Sequence, residues 1–155
     1  MRLSIDPGTN GTGWASWDEK NWRKLVPPLN TGVIFPPRSL NWQDKVEFVA
    51  KQFEKYPKIP TIKVYIEYPA FHESFGGEVV ARSGALVKLT YLVGFISSRF
   101  PKVLLVPVRN WKGQLPKTVV EERIRKLLGP VVCSSFKTHI WDAVGIGLYA
   151  KGFFK

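Results

Sequence analysis

Four side chains here are of the kind that ligate metal ions, and each stands at the edge of a segment. Asp6 closes an apolar stretch and opens a glycine-rich turn in Ile5-Asp6-Pro7-Gly8-Thr9-Asn10-Gly11-Thr12-Gly13-Trp14. Glu67 ends a second apolar run, and His139 and Asp142 stand three apart in His139-Ile140-Trp141-Asp142. In a chain of net charge +11, such groups suggest divalent cations held against a phosphodiester. Two hard cations about 4 Å apart can activate a water on one side of that bond and stabilise the leaving 3′-oxygen on the other. Oxygen donors suit Mg²⁺ or Mn²⁺, and two ions per site are expected. The softer imidazole of His139 shifts preference toward Mn²⁺, or acts instead as a general base or phosphate donor. Taken singly, each residue has an ordinary role as turn former, helix cap or solvated acid. Joint placement is what marks them.

For these groups to meet, the elements that carry them must converge. Residues 2–7 and 12–18 read as strands joined by the tight Gly-rich turn. Residues 26–37, bounded by Pro pairs, read as a third strand at a sheet edge, because proline cannot donate to a ladder. Residues 41–56 carry Val46, Val49, Ala50 and Phe53 at helical spacing. Residues 62–68 alternate: Ile62, Val64 and Ile66 point to one face, Lys63, Tyr65 and Glu67 to the other, and Pro69 ends the strand. A helix over 78–100 spreads apolar residues round more than one face, so burial on two sides is expected. A strand over 103–108, a helix over Lys117–Leu128 and a helix over 138–151 complete the chain. This order predicts an α/β protein, a mixed five-stranded sheet flanked by helices, as one domain over 1–155. Asp6 and Glu67 then lie at the carboxyl ends of strands, where ligands collect in α/β sheets. His139 and Asp142 share one helical face near an N-terminus, where the helix dipole favours carboxylates.

The bulk composition agrees. A chain of 155 residues, 45% apolar and 14% aromatic, buries about two-thirds of its unfolded surface. Lys and Arg number 23 against 12 acids, an excess that points to a polyanionic partner. No run approaches the ~18 apolar residues of a membrane span, and a first strand at the very start leaves no room for a secretory signal. A membrane partner is therefore not expected, and a cytoplasmic location is. The lone Cys133 fits a reducing compartment, and without cysteine pairs no structural zinc site is expected.

Basic and aromatic residues supply candidates for nucleic-acid contact. Phe71 and Phe75, on the segment after Glu67, could stack on or wedge between bases. Arg82, Ser83 and Lys88 open the long helix. Arg109, Lys112 and Lys117 gather around Trp111 before a helix start, where lysines pair with phosphates. Arg123, Arg125 and Lys126 read as a solvated helix face. Trp14, Trp17, Trp22, Trp42 and Trp141 read as core or interface bulk.

The Asp-Pro-Gly turn, the strand-ending Glu67, the Lys-bearing stretch 108–117 and His139-x-x-Asp142-Ala143 resemble, in this order, the RuvC family of Holliday-junction resolvases. The resemblance implies an RNase H-like fold, a homodimer, and Mg²⁺- or Mn²⁺-dependent nicking of opposing strands at a four-way DNA junction. It makes Asp6, Glu67, His139 and Asp142 the metal-binding and catalytic set. It also matches Phe71 to a stacking aromatic and Lys112 and Lys117 to functional lysines. Many members carry a carboxylate where His139 stands.

Other readings remain open. An RNase H-like protein of this charge could bind nucleic acid without cutting, or act on other branched DNA or RNA–DNA hybrids. Residues 6–12 also resemble the phosphate loop of sugar- and acid-kinase ATPases. Those enzymes need two such domains, which 155 residues cannot supply, so no nucleotide cofactor is expected.

Overall fold

The computed structural model describes residues 1–56, 62–69 and 84–154. Its centre is β1 (Arg2–Asp6), whose short apolar run is paired on both sides. β2 (Thr12–Trp17) returns antiparallel beside it, and β3 (Asn30–Ile34) adds a further antiparallel strand at the edge. α1 (Trp42–Gln52) follows. Asn41 caps it by accepting from the Asp44 N–H at 2.9 Å, one of the amides a helix start leaves unpaired. β4 (Lys63–Tyr68) then lies parallel on the other side of β1. α2 (Ala85–Ser97) crosses over to β5 (Val103–Pro107), which pairs parallel with β4. Four helices complete the described chain: α3 (Val108–Trp111), α4 (Lys117–Leu128), α5 (Pro130–Cys133) and α6 (Thr138–Ala150). The sheet order is β3-β2-β1-β4-β5. It is the mixed five-stranded sheet expected, with the proline-flanked strand at the edge.

Strand alternation divides the core into two layers. Leu3, Ile5, Val64 and Ile66 face α1 and α2, packing on Val46, Val49, Leu92 and Ile96. Ala15, Trp17, Tyr65 and Val106 face α4 and α6, packing on Ile124, Val144, Ile146 and Leu148. Asp6 and Glu67 belong by parity to the second face, which α6 covers. The register that pairs Ile5 with Ile66 brings Asp6 and Glu67 side by side one step further on.

Three details differ from the sequence expectation. Residues 26–29 stay outside β3, since Pro27 and Pro28 cannot extend a ladder. Two one-turn helices, α3 and α5, add to the expected elements; four residues are too few to show a period in the sequence. Over its described length α2 is buried on one side only: Leu92, Val93 and Ile96 are buried, while Val87 is 66% and Tyr91 48% exposed.

Candidate active site

The glycines of the first turn make room for the site. None of Gly8, Gly11 and Gly13 has a positive φ, so left-handed backbone is not what they provide. A Cβ on Gly13 would instead run into the backbone carbonyl of His139. The missing side chain lets the first turn of α6 lie directly on β2, and that contact brings His139 to Asp6. His139 Nδ1 stands 3.3 Å from Asp6 Oδ2.

From the other side, α3 carries Trp111 and Lys112 in from the end of β5. Trp111 is buried and fits its ring against Gly145 of α6, where a Cβ would collide with it. Its Nε1 donates to Glu67 Oε2 at 2.9 Å. Lys112 Nζ lies 4.7 Å over the Trp111 ring, 3.2 Å from Asp142 Oδ1 and 3.6 Å from Glu67 Oε2. Asp6, Glu67, His139 and Asp142 are thus drawn to one edge of the sheet, with Lys112 among them.

The electrostatics are those of acids crowded out of water. Burial pushes the Asp6 carboxyl above its ordinary range, and Asp142 adds to this while His139 opposes it. Burial, together with Asp6, brings Glu67 up to about 7. The hydrogen bond to Asp6 raises His139. Burial pulls Lys112 down, but Glu67 and Asp142 outweigh it and hold the ammonium above its usual range. Buried like charges that resist ionising together call for a cation, and three carboxylates with an imidazole are donors that Mg²⁺ or Mn²⁺ accepts. Among the described residues no three such side chains stand close enough to hold one ion together. The bridging cation of this arrangement is Lys112.

The remaining candidates are distributed around this centre. Lys117, exposed at the start of α4, is near enough to His139 to oppose its protonation. Arg109 is exposed on α3, and Lys88 is half-buried in the first turn of α2, in the layer across the sheet. Phe71, Phe75, Arg82 and Ser83 lie outside the described residues. Trp17, Trp22 and Trp141 are buried, as bulk residues should be; Trp14 and Trp42 are half-buried. Trp111 is a residue of this cluster that the sequence marks only weakly. Its signal was its place between Arg109 and Lys112, directly after a strand.

No family model and no curated protein sequence matches the chain. Its fold does match solved structures. Against Thermus thermophilus RuvC in complex with a Holliday junction substrate, the identity is 19% and the TM-score 0.69, over 99% of this chain and 97% of that one. A second Thermus thermophilus RuvC structure gives 17% and 0.63, over 99% and 98%. Fowlpox virus resolvase, in complex with substrate Holliday junction DNA, gives 15% and 0.56, over 98% and 99%. The chain therefore has the RuvC-like, RNase H-like fold, along nearly the full length of each of these structures.

Proposed function

We propose that this protein is a divalent-metal-dependent endonuclease that nicks opposing strands of four-way DNA junctions, through one RNase H-like domain over 1–155. One observation carries the reading: acids from β1, β4 and α6 meet at the carboxyl edge of parallel strands in a RuvC-like fold of charge +11. With the Lys112 ammonium moved aside and the four side chains drawn closer than they stand in the metal-free arrangement, Asp6, Glu67, His139 and Asp142 would hold two Mg²⁺ or Mn²⁺ ions, which would supply Lewis acidity for phosphodiester hydrolysis. The chain's own residues do the rest. Trp111 orients Glu67 by its hydrogen bond. The Lys112 ammonium can leave its carboxylate partners for a phosphate oxygen. Lys117 and Arg109 extend positive charge around the acids, and Phe71 is the residue proposed to stack on a base. Branched DNA is the proposed substrate, a reading supported by two of the structures sharing this fold, which hold Holliday junctions. Paired nicks imply a homodimer, and the exposed apolar side of α2 is the surface proposed for it. A cytoplasmic location suits this role and the free Cys133; no described helix is long and apolar enough to cross a membrane.

Asp6→Asn tests the reading. It should reduce Mg²⁺-dependent nicking of a labelled mobile junction by roughly 10²–10³-fold, in line with electrostatic catalysis. Junction affinity in EDTA should be equal or tighter, because one charge facing phosphate is gone. Wild-type cutting rates in this variant would remove Asp6 from the site. Linear duplex, flap and RNA–DNA hybrid controls decide the substrate. A second reading, binding without cleavage, draws on the Lys112 bridge between Glu67 and Asp142. It predicts tight junction binding with no nicks in either Mg²⁺ or Mn²⁺.

A further inference from the structure

Phe35 follows directly on edge strand β3 and is 59% exposed. It shares parity with Val33, which packs into the core beneath α6, so its ring lies on the face that bears the acids. A Cβ built on Gly11 would meet His139 Nε2 at 2.9 Å and Phe35 Cε1 at 3.1 Å. Phe35 and His139 therefore flank the same point of the first turn. From there opens a cleft of about 540 Å³ lined by Phe35, Glu121, Phe136, Lys137, Thr138 and Trp141, with His139 shared between cleft and acid cluster.

The walls and their charges indicate what fits. Phe136 packs edge-on against Trp141 at 5.2 Å, and the Arg125 guanidinium lies 5.3 Å over the Trp141 ring. One wall is thus set by contacts within the protein, while Phe35 stands at the open rim. The volume is within the range of small-ligand sites. Glu121 is half-buried while Lys137 and Thr138 are exposed at the mouth, so a purely apolar occupant would strand the Glu121 carboxylate and leave the other two unused. A nucleobase satisfies all three kinds of surface: an aromatic face for stacking, a polar edge for hydrogen bonds, and an attached phosphate for the cations. A carboxylate accepts hydrogen bonds only, so Glu121 favours a base with an exocyclic amine over thymine, whose single N3–H donor lies between two carbonyls that repel the carboxylate.

We propose that this cleft takes up one unstacked nucleobase of the strand being cut, stacked on Phe35 and read by Glu121. It would be a sequence-selective subsite on the His139 side of the scissile phosphate. The inference rests on the nucleic-acid reading of the acid cluster and adds a specificity site to it.

The test uses the full chain bound in EDTA to four-way junctions with 2-aminopurine at successive positions around the branch point. Fluorescence then reports stacking without cleavage. Wild type should alter the signal severalfold at one or two positions only. Phe35→Ala should abolish that local change, and Phe35→Trp should restore it, with junction affinity within roughly tenfold of wild type. Glu121→Gln should keep the local signal while levelling the preference for amino-bearing bases over thymine in competition. A signal spread evenly over all positions, or local signals none of which Phe35→Ala removes, overturns the subsite. Nicking assayed in parallel separates the two claims. If wild type shows the local signal yet never nicks, the subsite stands and the nuclease reading falls. If wild type nicks with cut-site preferences unmoved by Phe35→Ala and Glu121→Gln, the subsite falls alone.

Discussion

Lys112 brings a single positive charge to a cluster of three carboxylates, and that imbalance sets the pH behaviour of the metal-free protein. Glu67 titrates near 7 instead of 4.5, chiefly through burial and then through Asp6. Asp6 is raised for the same first reason. A carboxyl raised on folding contributes stability below its unfolded pKa and loses it as pH climbs through the folded value. His139, raised by its hydrogen bond to Asp6, has the same sign, so the three linked titrations act in one direction. In EDTA, stability to urea should fall as pH rises from about 4.5 to beyond 7. Glu67→Gln should flatten that fall by on the order of 2 kcal/mol. Saturating Mg²⁺ at pH 8 should restore stability in wild type, since a ligand bound only by the folded state stabilises it. A wild-type urea midpoint that is level across this window, or rises, would show that the acids are not crowded as described.

At the scale of elements, the site depends on how closely α6 lies on the sheet. Gly13 is where that distance is set, because a side chain there would strike the His139 carbonyl. Gly13→Ala should push the start of α6 outward and separate His139 and Asp142 from Asp6. Overpacking of this kind costs about 1–3 kcal/mol, or roughly 3–10 °C in melting temperature for a domain of this size. Mg²⁺ should then raise the melting temperature of Gly13→Ala less than that of wild type, as scanning fluorimetry can read. An unchanged melting temperature and an unchanged Mg²⁺ response would show that α6 has slack at this contact. α3 plays the matching part on the other side, where its single turn seats Trp111 against Gly145 and delivers Lys112 to the acids.

For the whole molecule, the exposed side of α2 is the feature to account for. Leu86, Val87, Tyr91 and Phe95 line an open apolar trough of about 780 Å³, on the face of the sheet opposite α6. A helix that is apolar all round ordinarily has both sides covered. A two-fold pairing of α2 with its own copy would cover it and give one assembly two sites. Val87→Glu with Tyr91→Lys should convert a dimer into a monomer by light scattering at micromolar protein. Paired nicks would then become single nicks, with folding retained because both side chains are exposed. A wild type that is already monomeric at that concentration would remove α2 from the argument.

Strand parity, turn chemistry and helical period are written within a few residues, which is why so much of the fold could be read in advance. Alternation placed Glu67 on the face opposite Ile66, Pro69 ended its strand, and the helix over Lys117–Leu128 has the expected bounds. The close-packing role of Gly13 could not be seen from the chain alone, since its neighbour His139 lies far along the sequence. Trp111 and Glu67 are 44 residues apart, and Asp6 and His139 are 133 apart. Such meetings depend on which layers pack together and how closely, a property of the assembled core that no local pattern records. The sequence by itself determined which groups stand at element ends and which way they point. Tertiary packing decided that Lys112 lies between Glu67 and Asp142, that Trp111 holds Glu67, and that Phe35 borders a cleft beside His139.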